Sequence, residues 1–98
     1  MNIAFHPAFD DEAVFADRFW RAAHYLGAAI DRIDAVVFRA GSALPSAPPN
    51  YLDQTLPARA GAFLTRTELR DADAPLETCD VAIVWDAAHA NDAELSAA

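Results

Sequence analysis

Cys79-Asp80-Val81-Ala82-Ile83-Val84-Trp85-Asp86-Ala87-Ala88-His89 is the stretch on which the fold of this chain turns. A run of apolar residues over 81–85, β-branched at Val81, Ile83 and Val84 and closed by Asp86, predicts a strand buried on both faces. Such a strand belongs in the middle of a parallel sheet. Open parallel sheets gather their chemistry at the carboxyl ends of the strands, which puts Asp86 and His89 where a site is expected.

Working back to the amino end, Ile3 to His6 reads as a first strand, ended by Pro7, which cannot donate to a ladder. Asp10 or Asp11 can cap the next helix, with Glu12 favourably placed against the positive end of its dipole. Over 12–26 the residues Phe15, Phe19, Ala22 and Leu26 form one helical stripe, widened by Ala16 and Trp20. Asp17 and Arg21 stand four apart on another side. Gly27 follows where a left-handed terminating residue is wanted, and His24 sits in the last turn, where a protonated imidazole complements the dipole.

The stretch 28–34 reads equally as an extended lead-in or a short helical turn. Ala-Val-Val-Phe-Arg at 35–39 is a second strand. The region 42–57 carries Pro45, Pro48, Pro49 and Pro57 and reads as an extended loop. Helical character returns over 58–73, and Thr65 and Glu68, at capping-box spacing, predict a short helix over 66–72. Asn91 and Glu94 have the same spacing and open a last helix. The sequence ends within two turns of that point, so it reads as a single Rossmann-like α/β domain over 1–98 or the N-terminal fragment of one.

The pattern is therefore α/β: three layers, a short parallel sheet of about three strands in the order 2-1-3, and flanking helices, an apparently incomplete doubly wound domain. In that order the loops after the first and third strands flank one crevice. His6, Asp10, Asp11, Asp86, His89 and Asn91 are its expected substrate-binding residues, a mixture suited to acid and base work or to holding a sugar or a cation.

Composition narrows the partners. With 15 acidic residues against 7 basic ones, the formal charge is -8, and every basic residue is arginine. Nucleic acid and anionic membranes are disfavoured by that charge. The absence of lysine removes Schiff-base chemistry and a P-loop. One cysteine, Cys79, allows no intrachain disulfide, and a cytoplasmic setting is the simpler expectation. No stretch approaches the roughly 18 apolar residues that span a bilayer.

No cofactor is expected. The turn from His6 to Asp11 contains no glycine, whereas a dinucleotide fold needs Gly-x-Gly-x-x-Gly there so that backbone amides can approach a pyrophosphate. No Gly-x-Ser-x-Gly nucleophile elbow is present. His6, Asp86 and His89 have the donor types for zinc, but no tight ligand motif accompanies them, so no metal site is assigned.

The order of elements resembles the start of the N-terminal domain of two-domain (GT-B) glycosyltransferases: Ile3-Ala4-Phe5-His6-Pro7 opening, an amphipathic helix ending Tyr25-Leu26-Gly27, a Pro-rich excursion, and Asp80-Val81-Ala82-Ile83-Val84-Trp85 late. The resemblance spans nearly the whole chain at the level of pattern. It implies an acceptor-side half-domain, facing a sugar or glycan acceptor, with most nucleotide-sugar contacts in another domain and no activity alone. A lower-ranked resemblance is to receiver domains, with Asp86 in the place of the phosphorylated aspartate and Asp10-Asp11-Glu12 similar to the acidic pair that holds magnesium. The alternative expectation, ranked above the receiver-like one, is a non-catalytic α/β module that pairs with another chain or with itself, using Phe9, Trp20, Tyr51 and Phe63 as an exposed apolar patch.

Overall fold

A computed structural model describes residues 1–41, 43–45, 60–76 and 78–97. Four strands, β1 (Asn2–His6), β2 (Ala35–Arg39), β3 (Thr67–Arg70) and β4 (Val81–Val84), form one all-parallel sheet in the order β3-β2-β1-β4. Three helices, α1 (Glu12–Leu26), α2 (Ala60–Arg66) and α3 (Asp92–Ala97), flank it. The α/β class is as expected, and the three expected strands keep their relative order. The fourth strand is added outside β2.

α1 forms where its stripe requires. Asp11 caps it by accepting from the amides of Ala13 (2.9 Å) and Val14 (3.1 Å). Phe15, Phe19, Trp20, Ala22 and Ala23 are its buried residues, and Arg21 reaches Asp17 at 2.9 Å. Gly27 is not left-handed. It lies in the right-handed helical region, and the chain runs straight on into a 3-10 segment, Gly27–Arg32, that delivers Ile33 to the sheet.

Successive residues of a strand point to opposite faces, which assigns the layers. Ile3, Phe5, Val36, Phe38, Leu69 and Ile83 face α1 and α2. There Phe38 packs on Phe5 (ring centroids 4.6 Å), Phe15 (5.5 Å) and Phe19 (5.5 Å), and Phe63 of α2 closes on Phe19 at 5.3 Å. Burial of each such ring stabilises by about 2–3 kcal/mol. The other face carries Ala4, His6, Val37 and Arg39, and it meets α3 through Arg39 and Glu94.

Besides Gly27, three expectations differ from the structure. The stretch 66–72 is not a helix: α2 ends at Arg66 and β3 begins at Thr67 with no loop between. Thr65 caps nothing there and donates instead to the Ala62 carbonyl (2.8 Å), while Glu68 is bridged by Arg70. The free edge of β2 accepts Thr67–Arg70 as a strand because that seats Leu69 opposite Phe38 on the core face.

Second, the apolar strand β4 lies at an edge of the sheet among the described residues, not in its middle. β4 pairs with β1 alone among the described residues, and Val81 is 41% exposed. Third, Phe9, Trp20 and Phe63 form no exposed patch, because all three are buried in the core. Tyr51, and the Pro-rich loop expected over 42–57 apart from 43–45, lie outside the described residues.

Candidate functional site

The order β3-β2-β1-β4 runs outward from β1 to β3 and then reverses to β4, so the switch in direction falls between β1 and β4. The crevice beyond the carboxyl ends at such a switch is the usual ligand position in doubly wound sheets. An open cleft of about 430 Å³ lies there. Asp10 and Asp11 border it from the loop after β1, and Asp86 and His89 border it from the turn after β4. Pro7, Ala8, Val14 and Trp85 supply the less polar lining.

Trp85 is the fixed wall of this cleft. Its amide donates to the His6 carbonyl (2.8 Å), extending the β1–β4 ladder by one residue. The indole Nε1–H donates to the Pro7 carbonyl. Its ring stacks on buried Phe9, with centroids 4.3 Å apart and planes 10° from parallel. The wall is thus held from the backbone, from the indole edge and from the ring face.

Asp86 organises the turn that follows. Its Oδ1 accepts from the Ala88 amide (3.1 Å), and its carbonyl accepts from the His89 amide (3.2 Å). Its Oδ2 meets His89 Nδ1 at 2.5 Å. A carboxylate only accepts, so a neutral His89 carries its hydrogen on Nδ1 and keeps Nε2 as a free acceptor. The His89 side chain is largely exposed and that of Asp86 is half-buried. The pair is a carboxylate orienting an imidazole, the arrangement that serves a general base.

Four of the six residues expected from the sequence, Asp10, Asp11, Asp86 and His89, therefore border one cleft. Asp11 already spends one carboxylate oxygen on the helix cap. The other two stand elsewhere. Asn91 caps α3: its Oδ1 accepts from the Glu94 amide (2.9 Å), and its own amide donates to Glu94 Oε1 (3.1 Å). His6 points to the opposite face of the sheet from Phe5 and is buried, outside the cleft lining.

Burial, seconded by the neighbouring Arg39 guanidinium, holds the His6 imidazolium below its ordinary pKa of 6.5, while Glu94 pulls the other way. Among the described residues, no group of three or more His, Cys, Asp or Glu side chains is placed to hold a metal ion, His6 with Asp86 and His89 included.

The Arg39–Glu94 ion pair, 2.6 Å long and shielded on both sides, has no signature in the sequence. Glu94 was visible as a capping-box residue and Arg39 as the charged end of a strand. Nothing local links two residues 55 positions apart.

No described helix is long and apolar enough to cross a membrane. Comparison of the chain with protein-family models, with curated proteins and with solved structures finds no match.

Proposed function

We propose that this domain binds a hydroxyl-rich ligand, a sugar or glycan acceptor, in the cleft between the loops after β1 and β4, as the acceptor-side half of a GT-B-like glycosyltransferase. The observation that carries the reading is the Asp86–His89 pair beside Trp85, at the carboxyl end of β4. Carboxylates such as Asp10 and Asp86 accept hydrogen bonds from neighbouring hydroxyls. The indole of Trp85, its N–H already given to Pro7 and one face to Phe9, contributes apolar ring surface to the cleft lining, against which the C–H face of a sugar ring can pack. The free Nε2 of His89 is the acceptor to which an attacking hydroxyl would give its proton. The loop after β1 has no glycine with which to cradle a donor diphosphate, so the domain is assigned the acceptor and no transfer by itself.

The test is an NMR titration of the 98-residue chain with methyl glycosides, following the His89 ring protons and the Trp85 indole N–H. Saturable shifts at both, lost in Asp86→Asn, are the expected result. Shifts at neither, across glucosides, galactosides and mannosides, would remove the reading.

A self-associating module is the second reading, and one observation favours it. An apolar groove of about 260 Å³ between α1 and the β4 edge is lined by Phe5, Leu26, Ile83 and Trp85, with 70%-exposed Tyr25 at its rim. Light scattering over a concentration series separates the two: a discrete dimer that Tyr25→Ser dissociates supports association through this groove. The receiver-like reading of Asp86 draws less support. Its carboxylate is already engaged by Ala88 and His89, and β4 stands beside β1 with β3 at the far edge, unlike the 2-1-3 order of flavodoxin-like folds.

A further inference from the structure

The carboxyl end of the sheet carries a second recess, of about 240 Å³, beside the Trp85 cleft. Phe9, Asp10, Asp11, Glu12, Gly41 and Ala72 line it. Asp10 and Asp11 border both hollows, so the two adjoin across the loop after β1.

The strand order sets them in a row. The cleft stands over the boundary of β1 with β4, whereas Gly41 and Ala72 each lie two residues past the ends of β2 and β3. The loop after β1 is tied to that side through its backbone. The Phe9 amide donates to the Arg39 carbonyl at 2.8 Å, and the Ala40 amide donates to the Arg70 carbonyl at 3.0 Å. From the β1–β4 boundary to the β2–β3 boundary is two strand spacings, about 10 Å. That is the span of two linked sugar rings, not of one.

Small residues keep the second recess open. A methyl group placed on Gly41 would meet no atom within 4 Å, and the φ of Gly41 is not positive. Neither a close approach nor the backbone therefore requires glycine there. What a larger side chain at Gly41 would remove is room. Ala72 borders the same space from the residues after β3 and is exposed. The recess falls short of the roughly 300 Å³ at which small-ligand pockets begin, which makes it an extension of the larger cleft and not a separate site.

Asp10 stands where the two hollows meet. It is exposed, and its carboxylate makes no hydrogen bond among the described residues, so both oxygens can accept from hydroxyls on either side. Asp11 has less to offer, because its Oδ1 serves the α1 cap. Apart from His89, the described lining of the two hollows includes no basic side chain. An anionic ligand would meet carboxylates in both halves with no cation to offset them.

We propose that the ligand is an uncharged oligosaccharide of at least two linked rings, one against Trp85 and His89 and the next beyond Asp10, in the recess bounded by Gly41 and Ala72. Asp10 accepts hydroxyl hydrogen bonds from both rings, and Gly41 sets the length of ligand that fits. This deepens the proposed sugar-binding function and rests on it.

The experiment is a paired NMR titration of the 98-residue chain. Methyl glucosides, galactosides and mannosides are compared with disaccharides of the same sugars in α and β linkage. The expected result is a disaccharide that binds about tenfold more tightly than its single ring, the contribution of one further net hydrogen bond. It shifts the Gly41 and Ala72 amides as well as the Trp85 indole and the His89 ring, whereas the single ring shifts only the latter two. Gly41→Leu fills the recess and erases the difference between the two affinities. Ala72→Leu fills it from the other side with the same result, so a failure of one variant to fold leaves the other to decide. A disaccharide whose second ring carries a carboxylate loses the gain.

The proposal is overturned if every disaccharide binds no more tightly than its single ring, or if the gain persists in a folded leucine variant. Both outcomes are read with single-ring binding at Trp85 and His89 present, and so they leave the sugar-binding function standing. A carboxylate-bearing disaccharide that binds as tightly as its neutral counterpart overturns the uncharged class. Shifts at neither hollow with any of these sugars overturn the sugar-binding function and this extension together.

Discussion

Arg39 at the end of β2 and Glu94 in α3 form an ion pair of 2.6 Å with both side chains nearly removed from solvent, and this pair joins the last helix to the sheet. The same carboxylate completes the α3 cap through Asn91. One side chain thus performs two tasks.

Glu94→Ala removes the side-chain half of the capping box, the bond from the Asn91 amide, and leaves a buried guanidinium without its counter-charge. Breaking one side of a buried pair costs about 3–5 kcal/mol, far more than an exposed pair. Urea denaturation followed by circular dichroism is expected to show a loss of at least about 3 kcal/mol, with the equal-volume Glu94→Gln falling between it and wild type because an amide still caps. A loss within the error of Glu94→Gln would show that the cap alone matters.

Phe9 is the support behind the cleft wall. It is buried, stacks on Trp85 and tilts against Phe15 at 5.1 Å. Phe9→Ala is expected to cost about 3–5 kcal/mol through the cavity it leaves. The indole of Trp85 would also lose its stacking partner, so its fluorescence should move to the red before global unfolding. An unchanged emission maximum in a folded Phe9→Ala variant would show that the Pro7 and His6 contacts hold the indole by themselves.

Asp86→Ala removes two hydrogen bonds of a surface turn and no core contact. Its expected cost to stability is less than about 1 kcal/mol, against loss of glycoside-induced shifts at His89 and Trp85. A collapse of the fold in thermal denaturation would make Asp86 a structural cap of the turn and nothing more.

The N-terminal ammonium of Met1 bonds the Asp34 carboxylate, and this ammonium, first by its hydrogen bond and then by its charge, holds the Asp34 pKa below its usual 3.8. A carboxylate depressed in the folded state contributes stability that is present above its unfolded pKa of 3.8 and is lost as pH falls through the lower folded value. His6 acts in a separate, higher window, below 6.5. Acid titration of stability is therefore expected to show two limbs. Asp34→Asn should remove only the lower one, and His6→Gln only the upper one, each read from midpoints of urea unfolding at fixed pH.

α1 was legible almost to the residue because its stripe, its Asp11 cap and its first-turn Glu12 are all local. β1 and β2 were legible for a similar reason, each being an apolar run ended by proline or by a small-residue turn. The carboxyl ends of β1 and β4 then placed Asp10, Asp11, Asp86 and His89 around one crevice, since parallel pairing of those two strands sets the loops that follow them side by side. β3 was not legible. Thr67-Glu68-Leu69-Arg70 holds one strongly apolar residue, and its spacing from Thr65 mimics a helix start.

Local chemistry along the chain was thus sufficient for the class of fold, the first helix, the capping of α3 and the polar character of the crevice, all set by contacts within a few residues. Tertiary packing alone decided that 67–70 pairs with β2 and that β4 takes an edge. It also turned Phe9 and Phe63 inward and His6 away from the crevice toward Arg39 and Glu94. The physical reason is the same in each case: the free energy comes from partners far apart in sequence, a sheet edge seeking hydrogen bonds, a ring seeking a core and a buried cation seeking its anion.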